Sequence, residues 1–113
     1  MNKQSRARLA EAVTILSELS DAENLLAMSD EAIASMIDEA TDLIIDVGSE
    51  EREKFDNMPE GLQSSPTGEA IEQAADALEY VNWPQGWDRQ DEDWAEVLAD
   101  EIQSVINEVE ELL

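Results

Sequence analysis

Carboxylates are the side chains through which this sequence could do chemistry, because it contains no cysteine and no histidine. The chain therefore has no thiol nucleophile, no imidazole base and no zinc site of the usual nitrogen and sulfur type. Catalysis would have to rest on acids that hold a hard cation such as Mg²⁺. The spacing that best suits such a site combines Glu69, Glu72 and Asp76 on one predicted helix with Asp93 and Glu96 near the next.

This set of acids resembles the carboxylate clusters of all-helical nucleotide pyrophosphohydrolases, which hold Mg²⁺ against phosphates. About a quarter of the residues are acidic, however, so such spacings arise by chance. Only Arg89 lies nearby in the sequence to meet substrate phosphates. We therefore predict that the protein is not an enzyme and has no catalytic residue, metal site or cofactor. A Mg²⁺-dependent nucleotide pyrophosphohydrolase is kept as an alternative.

The charge of the chain favours binding as its function. It has 29 acidic residues and 6 basic ones, a formal net charge of -23. No basic residue occurs from Leu9 to Glu51 or from Gln90 to Leu113. A solvated helix face normally mixes lysines with its acids, which relieves the repulsion between like charges. The absence of such mixing predicts a basic partner.

Hydrophobic residues make up 42% of the chain, and they recur at the spacing of a helix. Four segments have apolar residues at i, i+3 and i+4, and none alternates as a strand would. The sequence thus predicts one all-α domain over residues 1–113, a small bundle of four or five amphipathic helices. A homodimer through the apolar last helix is a further expectation.

The boundaries of these helices follow from caps and prolines. The first helix is predicted from about Lys3 to Leu19, with a short turn over residues 21–28 as the fifth element. Ser29 caps the second helix, which ends at Gly48 or continues to Met58 before Pro59. Residues 59–65 are predicted as a loop, and Ser65-Pro66 begins a helix that ends near Asn82. Residues 83–87 form a turn before the last helix, which opens between residues 88 and 93.

The acids of the second helix form a ladder. Asp38, Asp42 and Asp46 are four residues apart, so one charge follows another about every 6 Å along the axis. Duplex DNA carries about one charge per 1.7 Å, so 23 charges correspond to roughly 39 Å of duplex. Several helices presenting acids to the same side would approach that density. The predicted partner-binding acids are Asp38, Asp42, Asp46, Glu50, Glu51, Asp91, Asp93, Glu96, Asp100 and Glu101.

The segment Phe55-Asp56-Asn57-Met58-Pro59-Glu60-Gly61-Leu62-Gln63, with Gly68-Glu69 and the run 74–79 after it, resembles small uncharacterised proteins of bacteriophages. The resemblance covers about a quarter of the chain and implies a phage origin. In size, charge and helicity the sequence is similar to phage DNA mimics that block restriction enzymes, CRISPR effectors or other DNA-binding proteins. It therefore implies an anti-defence protein that acts in the host cytoplasm.

Two binding hypotheses follow. The first is an inhibitor that mimics DNA and occupies the basic groove of a host nucleic-acid-binding protein, without itself contacting nucleic acid or membrane. The second is an acidic adaptor or assembly factor that uses Trp83 and Trp87 as aromatic anchors. These tryptophans have a structural alternative, which is to pack the turn and cover the end of the bundle. For Arg8 and the other bases near the N-terminus we predict a salt link to another helix.

Overall fold

The computed structural model describes residues 1–113, which form six α-helices and no strand. The four long helices are the four that the apolar periodicity predicts, so the all-α bundle is confirmed. Two short helices lie between them. The helices are α1 (Lys3–Leu19), α2 (Ala22–Leu26), α3 (Asp30–Asp56), α4 (Glu60–Gln63), α5 (Pro66–Glu79) and α6 (Trp94–Glu110).

Side-chain caps start three of these helices where the sequence predicts them. The Ser29 side chain accepts a hydrogen bond from the Ala32 backbone N–H at 3.1 Å, which satisfies a donor at the start of α3. Ser65 accepts from the Gly68 backbone N–H in the same way at the start of α5. Asp21 caps the short α2.

Some boundaries differ from the prediction. Of the two alternatives for the second helix, the longer is found, since α3 runs without interruption to Asp56. The predicted loop 59–65 contains the single turn α4, and the Gln63 side chain donates to the backbone carbonyls of Phe55 and Met58. Helix α5 ends three residues earlier than expected, and α6 begins only at Trp94. The intervening segment therefore spans residues 80–93 and has no helix.

Helix α3 is the longest element, and α1 and α5 pack along it. Arg8 near the start of α1 pairs with Glu50 near the end of α3, so these two helices are antiparallel. Gly48 allows α3 and α5 to approach closely, because a Cβ at this position would lie 3.0 Å from the Leu78 Cβ. Helix α6 packs on α1 and α2, and it completes one continuous core of 19 buried residues.

The bundle is a rod of 54 × 21 × 18 Å. The 27 residues of α3 span about 40 Å of that length. Residues 80–93 lead the chain from the end of α5 back to the start of α3, where Trp87 and Arg89 both bind Asp30. No helix has the length and apolar character that a membrane crossing requires.

Candidate acidic interaction surface

The predicted partner-binding acids divide into three groups in the structure. Eight are exposed and take part in no ion pair: Asp38, Asp42, Asp46, Asp91, Asp93, Glu96, Asp100 and Glu101. Glu50 is exposed but is paired with Arg8. Glu51 is buried. Nine of the ten acids are therefore on the surface, and eight are available to a partner without breaking an internal contact.

Glu51 corrects the prediction. It follows Ile44 and Val47 at helical spacing, so it lies on the buried face of α3 and is 0% exposed. Its Oε1 accepts a hydrogen bond from the Lys54 Nζ at 3.2 Å, whereas its Oε2 is buried without a hydrogen-bond partner. A buried carboxylate oxygen without a donor costs stability, because it has lost water and gained nothing in return. Glu51 belongs to the core and not to the interaction surface.

Glu50 has a structural role in addition to its exposed position. The Arg8 guanidinium donates to its Oε2, which confirms that Arg8 links α1 to another helix. This hydrogen bond, together with the Arg8 charge, lowers the pKa of the Glu50 carboxyl from its usual value. Lys3 and Arg6, the other bases of the N-terminal region, form no ion pair.

The α3 ladder, Asp38, Asp42 and Asp46, is exposed on the side of the helix away from the core. The buried residues of this helix recur around Ala40 and Ile44, so the three carboxylates point in the opposite direction. No basic side chain lies within ion-pair distance of them. The ladder is a row of carboxylates outside any ion pair, and only Asp46 also feels the nearby charge of Arg8.

The α6 acids, Glu96, Asp100 and Glu101, are also exposed and have no basic partner. Helices α3 and α6 both bury their apolar stripes in the same core and both pack on α1, but they are not closely packed on each other. Each helix directs its exposed acids away from that core. The two acidic faces therefore lie on different sides of the rod, not on one common side.

The tryptophans hold the segment 80–93 against the bundle. Trp83 and Trp87 are half-buried against the core, and Trp94 is 7% exposed. The Trp87 indole N–H donates to the Asp30 Oδ1 at 2.8 Å. The Arg89 guanidinium lies over the Trp94 ring, 4.5 Å from its centroid, a cation–π contact. The structural role expected for these rings is present, and parts of Trp83 and Trp87 remain accessible.

Asp30 is the carboxylate that fixes this segment. Beside the Trp87 bond, it receives a hydrogen bond from the Arg89 side chain, which also donates to the Met28 carbonyl. The Trp87 and Arg89 hydrogen bonds lower the pKa of Asp30 from its usual value. An anion at the start of α3 is further favoured by the positive end of the helix dipole.

The acids considered for Mg²⁺ binding do not form a cluster. Asp76 on α5 is paired with Arg52 on α3, and Arg52 also contacts Glu79. No group of three or more acidic side chains is placed so that it could hold one metal ion. Asp76 and Glu79 therefore serve the contact between α5 and α3, and the acids considered for Mg²⁺ binding form no shared site.

Most of the charge is left without compensation. Four of the six basic residues pair with five acids, which leaves 24 of the 29 acids outside any ion pair. Spread over a rod 54 Å long, the net charge of -23 amounts to one charge about every 2.3 Å. That approaches the charge of duplex DNA, about one per 1.7 Å.

Comparison with known proteins gives no match: no family model fits the chain, and no curated protein or solved structure is similar to it. The resemblance of its central segment to bacteriophage proteins therefore stays a prediction.

Proposed function

We propose that this protein is a DNA mimic that inhibits a host nucleic-acid-binding protein by occupying its basic groove. The observation that carries the proposal is the density of uncompensated charge, one net charge about every 2.3 Å along a rod about as wide as a double helix. A duplex likewise presents charge on all sides of its axis, at a linear density close to that of this rod. A protein surface built to neutralise phosphates would meet carboxylates at comparable spacing.

The mechanism of such an inhibitor is electrostatic. Lysines and arginines that normally neutralise phosphates would pair with the α3 ladder and the α6 acids, and complementary fields would speed the encounter. The protein itself would not bind nucleic acid, because a charge of -23 repels phosphates. We place this action in the host cytoplasm, with a bacteriophage as the source, in line with the resemblance of the central segment.

The test uses the protein immobilised on beads and a bacterial lysate. We expect basic proteins to be retained in low salt and to be released as salt rises, because exposed ion pairs are screened. Duplex DNA added at low salt should release the same proteins. Polyglutamate of equal total charge should release them less effectively, because it lacks a rigid rod of the right width. Retention that is indifferent to both salt and DNA would rule out mimicry.

A second function, an acidic adaptor, is favoured by the exposed aromatic edge of the segment 80–93. Tyr80 is 73% exposed, and Trp83 beside it is only half-buried. Such side chains are common anchors in protein interfaces. In that case Trp83→Ala would abolish retention of the lysate proteins, whereas neutralising several acids would not.

A further inference from the structure

A small cavity lies beside the start of α6, away from the α3 ladder. Its volume is about 110 Å³. Its walls combine two tryptophan rings, two aliphatic side chains and three carboxylates. The lining residues are Gly86, Trp87, Asp88, Asp91, Asp93, Trp94, Val97 and Leu98.

Two of these carboxylates are not used by the fold. Asp93 occupies the N-cap position of α6, where an aspartate side chain normally accepts from the helix, but it makes no such hydrogen bond. The Asp91 side chain makes no hydrogen bond or ion pair either. Asp88 accepts one bond, from the Gln90 backbone N–H at 2.9 Å. Two of the three carboxylates that border the cavity, Asp91 and Asp93, thus have no donor within the chain.

The aromatic walls point to an organic cation as the ligand. Indole rings attract ammonium and guanidinium groups through their electron-rich faces. Trp94 already has such a contact with Arg89, whose guanidinium is held outside the cavity by Asp30 and the Met28 carbonyl. That contact already fills a cation site on Trp94, whereas no cation of the chain lies over the Trp87 ring, which also lines the cavity.

We propose that this cavity binds the side-chain ammonium of a lysine on the basic partner, an inference that rests on the proposed function. A space of 110 Å³ equals that of roughly four liquid waters, enough for an ammonium group and its nearest methylenes. The three N–H donors of the ammonium match the three carboxylates, and the methylenes contact Val97 and the indole rings. A metal ion would use the carboxylates but would leave the aromatic and aliphatic walls without a role.

The experiment measures the three tryptophan indole N–H signals by NMR during titration with a lysine whose α-amino and carboxyl groups are blocked. We expect saturable shifts of the Trp87 and Trp94 signals with a Kd of millimolar order, and little change at Trp83. The same compound acetylated on its side-chain nitrogen should have no effect. Blocked arginine, sodium chloride at equal ionic strength and Mg²⁺ identify any cation that replaces lysine.

Matched variants locate the site. Asp91→Asn with Asp93→Asn should weaken lysine binding at least tenfold, and Glu11→Gln with Glu18→Gln on α1, which removes the same charge outside the cavity and outside both acidic faces, should leave it almost unchanged. Circular dichroism checks that both variants keep their helices. Shifts no larger than those in sodium chloride, or shifts equal in both variants, would overturn the inference.

Failure of this inference differs from failure of the proposed function. If lysine does not bind but lysate proteins are still retained and released by DNA, mimicry stands and only the cavity loses its role. If lysine binds but duplex DNA releases nothing from the beads, the cavity recognises lysine without mimicry.

Discussion

Helices α3 and α6 both carry an excess of acids, but they place their charge differently. Helix α3 has ten acids and two bases, and three of those acids, Asp30, Glu50 and Glu51, pair with bases. Glu50 joins α3 to α1 and Asp30 joins it to the segment before α6, whereas Glu51 pairs with Lys54 of α3 itself. Helix α6 has five acids and no base, and none of its acids is in an ion pair.

The difference separates charge that the fold uses from charge that it does not use. Pairs at the ends of α3 position its neighbours, whereas the central α3 ladder and the acids of α6 only repel one another. Like charges one turn apart destabilise a helix by roughly 0.2–0.5 kcal/mol per pair. None of these acids forms an ion pair within the fold, so they remain available to bind a basic surface.

The largest expected effect is on partner affinity. Replacing the α3 ladder with asparagines, or the α6 acids Glu96, Asp100 and Glu101 with amides, should each weaken binding of a captured partner about tenfold. The two sets together should weaken it at least a hundredfold, because a duplex-binding groove contacts more than one side of the rod. Titration calorimetry at two salt concentrations measures both the loss and the reduced salt dependence.

The same experiment tests whether the partner contacts the acids of both α3 and α6. Should only one set change the affinity, the partner contacts a single face and the opposite acids serve another purpose. Neutralising Glu11 and Glu18 on α1 provides a control with two charges removed from outside both sets.

The next largest effect is on the free energy of unfolding, and it is measured by substituting two neighbouring residues of α3. Glu51→Met should raise the free energy of unfolding by about 1–2 kcal/mol, because it replaces a buried carboxylate that has an unpartnered oxygen with an apolar side chain of similar volume. Glu50→Gln should lower it slightly, because the Arg8 contact is lost on a surface where ion pairs contribute little. Urea unfolding of the two variants measures both changes. A loss of stability in Glu51→Met would mean that the Lys54 contact outweighs the cost of burial.

Glu50 and Glu51 also show how much of the acidic interaction surface the sequence alone predicts. Periodicity was sufficient for the long helices and for the exposure of the α3 ladder, because one apolar stripe leaves only one solvated face. The same periodicity puts Glu51 in line with Ile44 and Val47, so the exposure predicted from its charge is wrong. The cavity at Trp87 could not be predicted, because it depends on how a segment without regular structure packs against α6.

A smaller effect on stability is expected when negative charge is removed from α6. Asp100→Asn should stabilise the protein by about 0.3 kcal/mol, because it removes a like-charge pair with Glu96 one turn away and keeps Glu96, which the positive end of the helix dipole favours. Thermal unfolding should show this gain in low salt and a smaller gain in high salt, where the repulsion is screened. A gain that does not depend on salt would assign the effect to helix propensity.

The smallest expected effect is on the pH dependence of stability, through the hydrogen bonds that attach the segment 80–93 to Asp30 of α3. Hydrogen bonds from Trp87 and Arg89 lower the pKa of Asp30, so this group binds its proton less readily in the folded state than in the unfolded state. Its contribution to stability is therefore present above about pH 4, the usual aspartate value, and is lost as pH falls through the lowered pKa.

Asp30→Asn should be less stable than the parent at pH 7, and the difference should shrink as the pH is taken well below 4. Asp42→Asn, which removes an unpaired charge from the same helix, should be at least as stable as the parent at pH 7. If both variants had the same pH profile, the pairing at Asp30 would add nothing to stability, and the distinction between paired and unpaired acids on α3 would fail.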